Sequence, residues 1–331
     1  MALAALLMAG CGAPQPAAPS TAASKLTNAA SAGAPASASQ LRKVILADPS
    51  ASLTAFSSQA AKDQGFFNAQ GLEVTLVQMA TPAAMAALQA GEIQFTSATG
   101  TTVRSALQGL GVRVIAHLQT EPFSLVTRPE ITTIAQLKGQ RVGFGSVGGD
   151  DQVYTLTALK TAQLTASDVE LLMVGNNEKV AEAMLAGQVA GGALAPPATQ
   201  VLARQGFHIQ TQPDLLEMPS GGLGTSLQML RNDPQLVRSV LAGMLDGLVW
   251  AKAHPDEATA YISKKYALEP AIAKGAYEQT ISSARFSFTD EQLQGVVQRA
   301  LDQTKSDKKV ALSEVYDLSF LKELVQAKGL K

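Results

Sequence analysis

Short apolar runs rich in β-branched residues alternate with stretches of helical period over residues 43–211, and this alternation limits the fold more than any other feature. It is typical of a parallel sheet covered by helices. Strands are predicted at residues 43–48, 72–79, 92–98, 112–118, 141–145, 169–174, 190–194 and 208–211. Helices are predicted at residues 54–65, 82–90 and 101–109, and from about Gly149, Asn177 and Pro197. The chain is therefore predicted to be an α/β protein.

From Asp233 onward the pattern changes to helices alone, and residues 236–249 carry an apolar stripe at helical spacing. A helical block without strands of its own has to cover an existing sheet, so we expect it to pack on the first lobe. The chain would then cross between lobes twice, at residues 123–128 and 224–230, and two crossings form a hinge. We predict lobe 1 at 41–127 and 225–331, and lobe 2 at 128–224.

The N-terminal sequence MALAALLMAGCG is a short apolar run that ends in small residues and the single cysteine, Cys11. It resembles a bacterial lipoprotein signal, which implies cleavage before Cys11 and lipidation of its thiol. A basic segment is missing before the run, so we expect residues 1–10 to be a truncated signal with the true start upstream. Residues 11–40 are rich in Ala, Pro, Ser and Thr and are predicted to be a disordered tether. The protein would be extracytoplasmic, in the periplasm or at the cell surface, and bound to the membrane only through this lipid.

The charge balance excludes several partners, because 26 Lys and Arg residues face 27 Asp and Glu residues. Such a chain has no net field that would attract nucleic acid. The sequence has no HExxH motif, no cysteine pair and no closely spaced histidines, so we expect neither a metal nor another cofactor. We expect a monomer.

Four phrases carry a resemblance to a known family: KDQGFFNAQGLEVTLV at 62–77, LQAGEIQFTSA at 88–98, LKGQRVGFGS at 137–146, and NDPQLVRSVLAGMLDGLVWAKAHPDEA at 232–258. In this order and spacing they resemble the ABC-transporter substrate-binding proteins for aliphatic sulfonates, nitrate and thiamine precursors. The resemblance implies a type II periplasmic-binding-protein fold, in which two lobes joined by a double crossover close over a small molecule. It also implies that an ABC permease is the partner.

In open α/β sheets ligands bind beyond the carboxyl ends of the strands, where helix N-termini offer free N–H groups. His117 lies at the end of a predicted strand near the base of the cleft, where its imidazole would either donate a hydrogen bond to a ligand or serve as a structural histidine. Hydroxyl groups, amides and backbone dominate the other loops at these ends, although Ser50, Thr99, Ser146 and Asn176 are also residue types that cap helices. The predicted ligand-binding residues are Ser50, Ser52, Thr81, Thr99, Gly100, Thr101, His117, Ser146, Val147, Gly148, Gly149, Asn176 and Pro196.

The chain departs from the oxyanion-binding members of the family in its charges. Those members commonly place a basic residue in the cleft, whereas the loops named above contain none and Asp150 and Asp151 begin a helix instead. Acids in a first helical turn complement the helix dipole, but they would repel an anion near Ser146 and Gly148. A neutral or amine-bearing molecule therefore becomes a candidate ligand in addition to an oxyanion.

Gly143, Gly145 and Gly148 spell GxGxxG, a motif of dinucleotide-binding sites. The following strand does not end in the acid that holds a dinucleotide ribose, which argues against a nucleotide site.

Two other functions stay open at this point. Enzymes of the same fold act in the cytosol on pyrimidine or menaquinone precursors, and loss of the lipoprotein interpretation would favour that alternative. A ligand-sensing domain of a membrane receptor is the second alternative. No nucleophile with a partner base is visible, so we expect a binding protein and not an enzyme.

Overall fold

The computed structural model describes residues 40–49, 52–120, 123–210, 219–282 and 284–330. The predicted signal at 1–10, lipidation of Cys11, nearly all of the tether and Ser50 lie outside these ranges. Within them, no helix combines the length and the apolar character needed to cross a membrane.

Strands and helices alternate through the first two thirds of the described chain, and helices alone follow. The strands are β1 Arg42–Asp48, β2 Leu72–Gln78, β3 Phe95–Thr96, β4 Val112–Thr120, β5 Ser124–Thr127, β6 Arg141–Phe144, β7 Glu170–Met173, β8 Gly191–Leu194, β9 His208–Ile209 and β10 Pro219–Ser226. The helices are α1 Phe56–Asp63, α2 Phe66–Ala69, α3 Thr81–Ala90, α4 Thr99–Leu107, α5 Asp150–Thr161, α6 Asn177–Leu185, α7 Ala198–Arg204, α8 Leu227–Asn232, α9 Pro234–Ala253, α10 Pro255–Tyr266, α11 Pro270–Ser282, α12 Asp290–Gln303 and α13 Ser319–Ala327.

The strands form two sheets, which define two α/β lobes. The first sheet has the order β2-β1-β3-β10-β4 and the second β7-β6-β8-β5-β9. Strand β1 is parallel to β2 and β3, and β6 is parallel to β7 and β8. The prediction was a parallel sheet, but both sheets are mixed, because β10 and β5 run antiparallel to their neighbours. The predicted two-lobed α/β fold is confirmed.

The predicted crossing segments need correction, because both contain strand residues. Ser124–Thr127 pairs with β8 in the second sheet, and Pro219–Ser226 pairs with β3 and β4 in the first. The chain therefore changes sheets between Thr120 and Ser124 and between Ile209 and Pro219, several residues before the predicted limits of lobe 2. Both segments lie beside an available strand edge, where pairing satisfies their backbone N–H and C=O groups.

Strand β10 was missed because its sequence, PSGGLGTS, has few residues that favour strands. Its glycines instead allow the backbone to come close to β4. A Cβ on Gly222, whose φ is +149°, would collide with the carbonyl oxygen of Ala116. This close approach requires glycine at that position.

The C-terminal helices cover the first sheet, as predicted. Buried side chains of α9, such as Val240 and Leu241, share one core with Leu46 of β1 and Ile115 of β4. Helix α12 covers the other part of this lobe, with Val297 packed among residues of α3, α4 and β4. Burying side chains of this kind contributes about 1.5–3 kcal/mol each, so the helical block fixes the sheet that carries one wall of the cleft.

Candidate functional site

A cleft of about 710 Å³ lies between the two lobes, at the carboxyl ends of their parallel strands. The wall from the first lobe comes from the segments after β1, β2 and β3, and the facing wall from those after β6 and β7. Nine of the predicted residues line it: Ser52, Thr81, Thr99, Gly100, Thr101, Ser146, Val147, Gly149 and Asn176. Their role in ligand binding stays a prediction, but the structure brings them together around one space.

Gly148 and Pro196 are not among the lining residues of this cleft. Gly148 lies against the guanidinium group of Arg104, because a Cβ on Gly148 would be only 2.7 Å from its Cζ. The carbonyl oxygen of Pro196 accepts a hydrogen bond of 3.1 Å from the N–H of Leu53 in the first lobe. Both residues therefore make contacts between lobes instead of facing the cleft.

His117 lies in β4 away from the cleft, so its predicted place among the ligand-binding residues is corrected. Its side chain is 2% exposed and packs against the rings of Phe288 and Tyr316, with centroid distances of 6.1 and 5.7 Å. Burial lowers the pKa of His117 to about 3, so the ring is neutral at physiological pH. The strand turns this side chain towards Phe288 and Tyr316 near the C-terminal end of the chain, which an isolated sequence does not reveal.

Four α-helices of the described chain begin at the cleft, and their first turns present backbone N–H groups there. Helix α3 starts at Thr81, which lines the cleft. Helix α4 starts at Thr99 in one wall, and α5 starts at Asp150 in the other. Helix α6 is capped by Asn176, whose side chain accepts a hydrogen bond of 2.9 Å from Lys179 N–H. Asn176 therefore caps the helix, as its residue type predicts. It also lines the cleft, so capping does not prevent it from contacting a ligand.

Arg104 is a cleft residue that the sequence interpretation missed. It lies on α4, one turn after Thr101, and its guanidinium donates a hydrogen bond of 2.7 Å to Thr101 Oγ1. A search confined to the loops cannot find it, whereas the i, i+3 spacing from Thr101 does place it on the same face of the helix. The named loops contain no basic residue, but α4 brings one to the cleft.

Asp151 holds the loop that forms the wall from the second lobe. Its carboxylate accepts a hydrogen bond from the N–H of Gly145. Burial raises the pKa of Asp151 to about 6, and the backbone donors oppose this rise. The side chain thus acts mainly on the shape of the loop.

Asp150 projects from the second lobe towards the first. A Cβ on Gly100 would collide with its Oδ1, and the hydroxyl of Ser220 donates a hydrogen bond to its carboxylate. Burial raises the pKa of Asp150, against the opposing charges of Arg104 and Arg299. The two walls therefore meet where the Asp150 side chain of one lobe contacts Gly100 and Ser220 of the other, within electrostatic reach of two guanidinium groups.

The rim of the cleft is largely apolar. Val147 and Met173 of the second lobe are 69% and 58% exposed, which is unusual for such side chains. Met85, Leu110 and Phe123 add further apolar surface inside. A ligand with an apolar body and a few polar groups would match this lining. Within the part of the chain that the structure describes, no group of three or more His, Cys, Asp or Glu residues is arranged to hold a metal ion.

Two α/β lobes whose strand ends and helix N-termini face each other across one cleft define a periplasmic-binding-protein-like fold. Solved structures share it. The alkanesulfonate-binding protein SsuA from Xanthomonas axonopodis pv. citri, bound to MOPS, superposes with a TM-score of 0.71 at 18% identity, over 84% of this chain and 99% of that one. The desulfurization enzyme DSZB superposes with a TM-score of 0.62 at 16% identity, over 87% and 99%. At these identities the matches establish the fold alone.

The chain belongs to the NMT1/THI5-like family, whose sequence profile matches residues 57–258, more than half of the chain. It is also similar to the riboflavin-binding protein RibY from Chloroflexus aurantiacus. The two are 27% identical over 270 residues, which cover 76% of this chain and 73% of that protein. The resemblance found in the four sequence phrases is confirmed at the level of the family.

Proposed function

We propose that the protein is an extracytoplasmic solute-binding protein, anchored through a lipid on Cys11, which acts as a monomer. It binds a small polar organic molecule or oxyanion between its lobes and delivers it to the permease of an ABC importer. The observation that supports this is the cleft of about 710 Å³, which receives polar groups from both lobes. Its volume lies within the range of about 300–1,000 Å³ that is usual for small-molecule sites.

The arrangement suggests how binding would be coupled to closure. A ligand that contacts both Thr99 and Ser146 favours the arrangement in which their loops are close, because it gains contacts there that an open form lacks. We infer that this closure is a rotation of the lobes about the two places where the chain passes from one sheet to the other. The permease would then distinguish the closed form from the open one.

An enzyme is the second candidate, and one observation favours it. Asp151 lines the cleft with a pKa raised to about 6, and perturbed carboxyl groups of this kind occur at catalytic sites. Against it, none of the three histidines lines the described cleft. The ring of His208 is hydrogen-bonded to the carbonyl oxygen of Pro129, and the ring of His254 to the carbonyl oxygen of Trp250. The hydrogen bond from Gly145 gives Asp151 a structural role.

A thermal-shift screen tests the binding function directly. The compounds would include alkanesulfonates, nitrate, pyrimidines, riboflavin, polyamines, amino acids and aromatic acids. A true ligand at about 100 times its dissociation constant stabilises the protein by roughly 2.7 kcal/mol. Recovery of the compound unchanged after long incubation supports a binding protein, and turnover establishes the enzyme instead.

Ser146→Ala locates the site within the cleft. Loss of one hydrogen bond to the ligand should weaken binding about fivefold, because such a bond contributes roughly 1 kcal/mol. Ser167→Ala is the matched control, since this exposed serine lies in the same lobe outside the lining. Isothermal titration with the best compound compares the two variants. Equal affinities would remove Ser146 from the binding site.

A further inference from the structure

The carboxylate of Asp150 lies where a negatively charged ligand would otherwise meet the positive charges of the first lobe. It extends from the start of α5 across to Gly100, which has no side chain to obstruct it, and it receives the Ser220 hydroxyl. Gly100 and Ser220 both line the cleft. A side chain of the second lobe therefore occupies a polar recess in the wall of the first.

Two guanidinium groups of the first lobe lie within electrostatic reach of the Asp150 carboxyl group, and that of Arg104 also lines the cleft. Arg104 comes from α4 and Arg299 from α12, and the Asp150 carboxylate acts on both through space. Both guanidinium groups are partly buried, and burial lowers the pKa of each. Nε of Arg299 is buried without a hydrogen-bond partner among the described residues. Two positive charges and an unused buried donor are features of an anion site, and the Asp150 carboxyl group is the acidic group that acts on both.

The local charges balance without a ligand. Arg104 and Arg299 carry two positive charges, and Asp150 and Asp151 can carry two negative ones. A free oxyanion would have to approach beside Asp150 or displace it. Displacement would leave the carboxylate without its partners in a partly desolvated place, which is costly. An uncharged polar group, or an amine, meets no such penalty.

We propose that Asp150 is the specificity-determining residue of this cleft, a resident anion that excludes free oxyanions and restricts the ligand to uncharged or amine-bearing organic molecules. This inference depends on the proposed binding function and narrows its ligand class. The exposed apolar groups of Val147 and Met173 at the rim agree with an organic ligand. The hydroxyls of Thr99, Thr101 and Ser146 would serve its neutral polar atoms.

Asp150→Asn tests this inference, with Glu170→Gln as the matched control. Both variants remove one negative charge from the second lobe, but Glu170 is exposed on β7 and lies outside the cleft lining. Methanesulfonate and nitrate are titrated at constant ionic strength by calorimetry. Asp150→Asn should bind methanesulfonate at least tenfold more tightly than the wild type, whereas Glu170→Gln should show no gain. Adding Arg104→Gln to Asp150→Asn should abolish the gain.

The inference is overturned if the wild type binds methanesulfonate as tightly as Asp150→Asn, or if Asp150→Asn and Glu170→Gln gain equally. If Asp150→Asn does not fold, the wild type decides. Saturable methanesulfonate binding then contradicts the inference, and its absence together with binding of a neutral or cationic compound from the screen supports it. Tight oxyanion binding by the wild type would leave the proposed binding function intact, so the two failures are distinguishable.

Discussion

Asp48 is a buried carboxyl group at the end of β1, next to Pro49 of the cleft. Burial raises its pKa from 3.8 to about 7, although Ser97 and Ser58 donate hydrogen bonds that oppose the rise. Between about pH 4 and pH 7 the folded protein keeps this proton while the unfolded chain releases it. Raising the pH through this window therefore lowers the free energy of unfolding, by up to about 4 kcal/mol from this group.

Asp48→Asn removes that pH dependence. The variant should gain stability relative to the wild type as the pH rises from 4 to 7, because asparagine has no charge to bury. Urea unfolding of both proteins at pH 4.5 and pH 7.5 measures the difference. A difference that does not change with pH would contradict the buried carboxylic acid.

His117 acts in the opposite direction. Its pKa is lowered to about 3 by burial, so between about pH 6.5 and pH 3 the unfolded chain takes up a proton that the folded protein refuses. His117→Phe should fit between Phe288 and Tyr316, and it should stabilise the protein increasingly as the pH falls through that window. Unfolding at pH 4.5 and pH 7.5 checks this. Unchanged ligand affinity in the same variant would support its place outside the cleft.

Single residues also show where sequence interpretation ends. Thr99 and Ser146 could be placed in the cleft because the ends of parallel strands meet at one edge of a sheet. The positions of Arg104 and Arg299 relative to Asp150 could not be predicted, because both lie within helices, and Arg299 comes from a helix almost two hundred residues later. His117 was misplaced because its neighbours in space come from the far end of the chain.

At the scale of elements, two helical glycines lie in contrasting surroundings. A Cβ on Gly247 of α9 would be 3.0 Å from the backbone nitrogen of Ala61 in α1, whereas one on Gly295 of α12 would meet only the end of the Arg299 side chain at 3.6 Å. Helix α9 can therefore pack closely on α1 only because glycine stands at 247. Gly295 has no such neighbour.

Gly247→Ala should destabilise the protein by about 1–3 kcal/mol, because α9 and α1 would have to move apart. Gly295→Ala should stabilise it by about 0.5–1 kcal/mol through helix propensity. Chemical denaturation of both variants gives the two values. Equal changes of the same sign would contradict the close packing of α9 on α1.

The elements that could be predicted are those with a strong local pattern. Strands β1, β2 and β4 have apolar, β-branched runs, and their predicted limits agree with the structure to within two residues. The sequence predicts a connection where β5 lies, and β10 is rich in glycine. Both segments become strands because they pair with other strands. Strand β3 keeps only Phe95–Thr96 of the seven residues predicted at 92–98.

At the scale of the whole molecule, direct contacts join the lobes beside the cleft. Arg204 of α7 forms an ion pair of 2.8 Å with Glu269, which lies directly before α11, and Gln200 donates a hydrogen bond to Gln279. Leu53 N–H binds the Pro196 carbonyl. Asp150 also joins the lobes at another part of the wall, through its contacts with Gly100 and Ser220. These contacts bring the polar loops of both lobes to the same space, which is the basis of the proposed binding.

Hydrogen exchange with mass spectrometry tests the central claim, which is that one ligand is held by both lobes. With the strongest compound of the thermal-shift screen at saturation, amide exchange should slow in peptides covering residues 97–104 and residues 145–151. Peptides from α13 should be unchanged and serve as the internal control. Slower exchange confined to one lobe, or located only outside the cleft, would contradict the account.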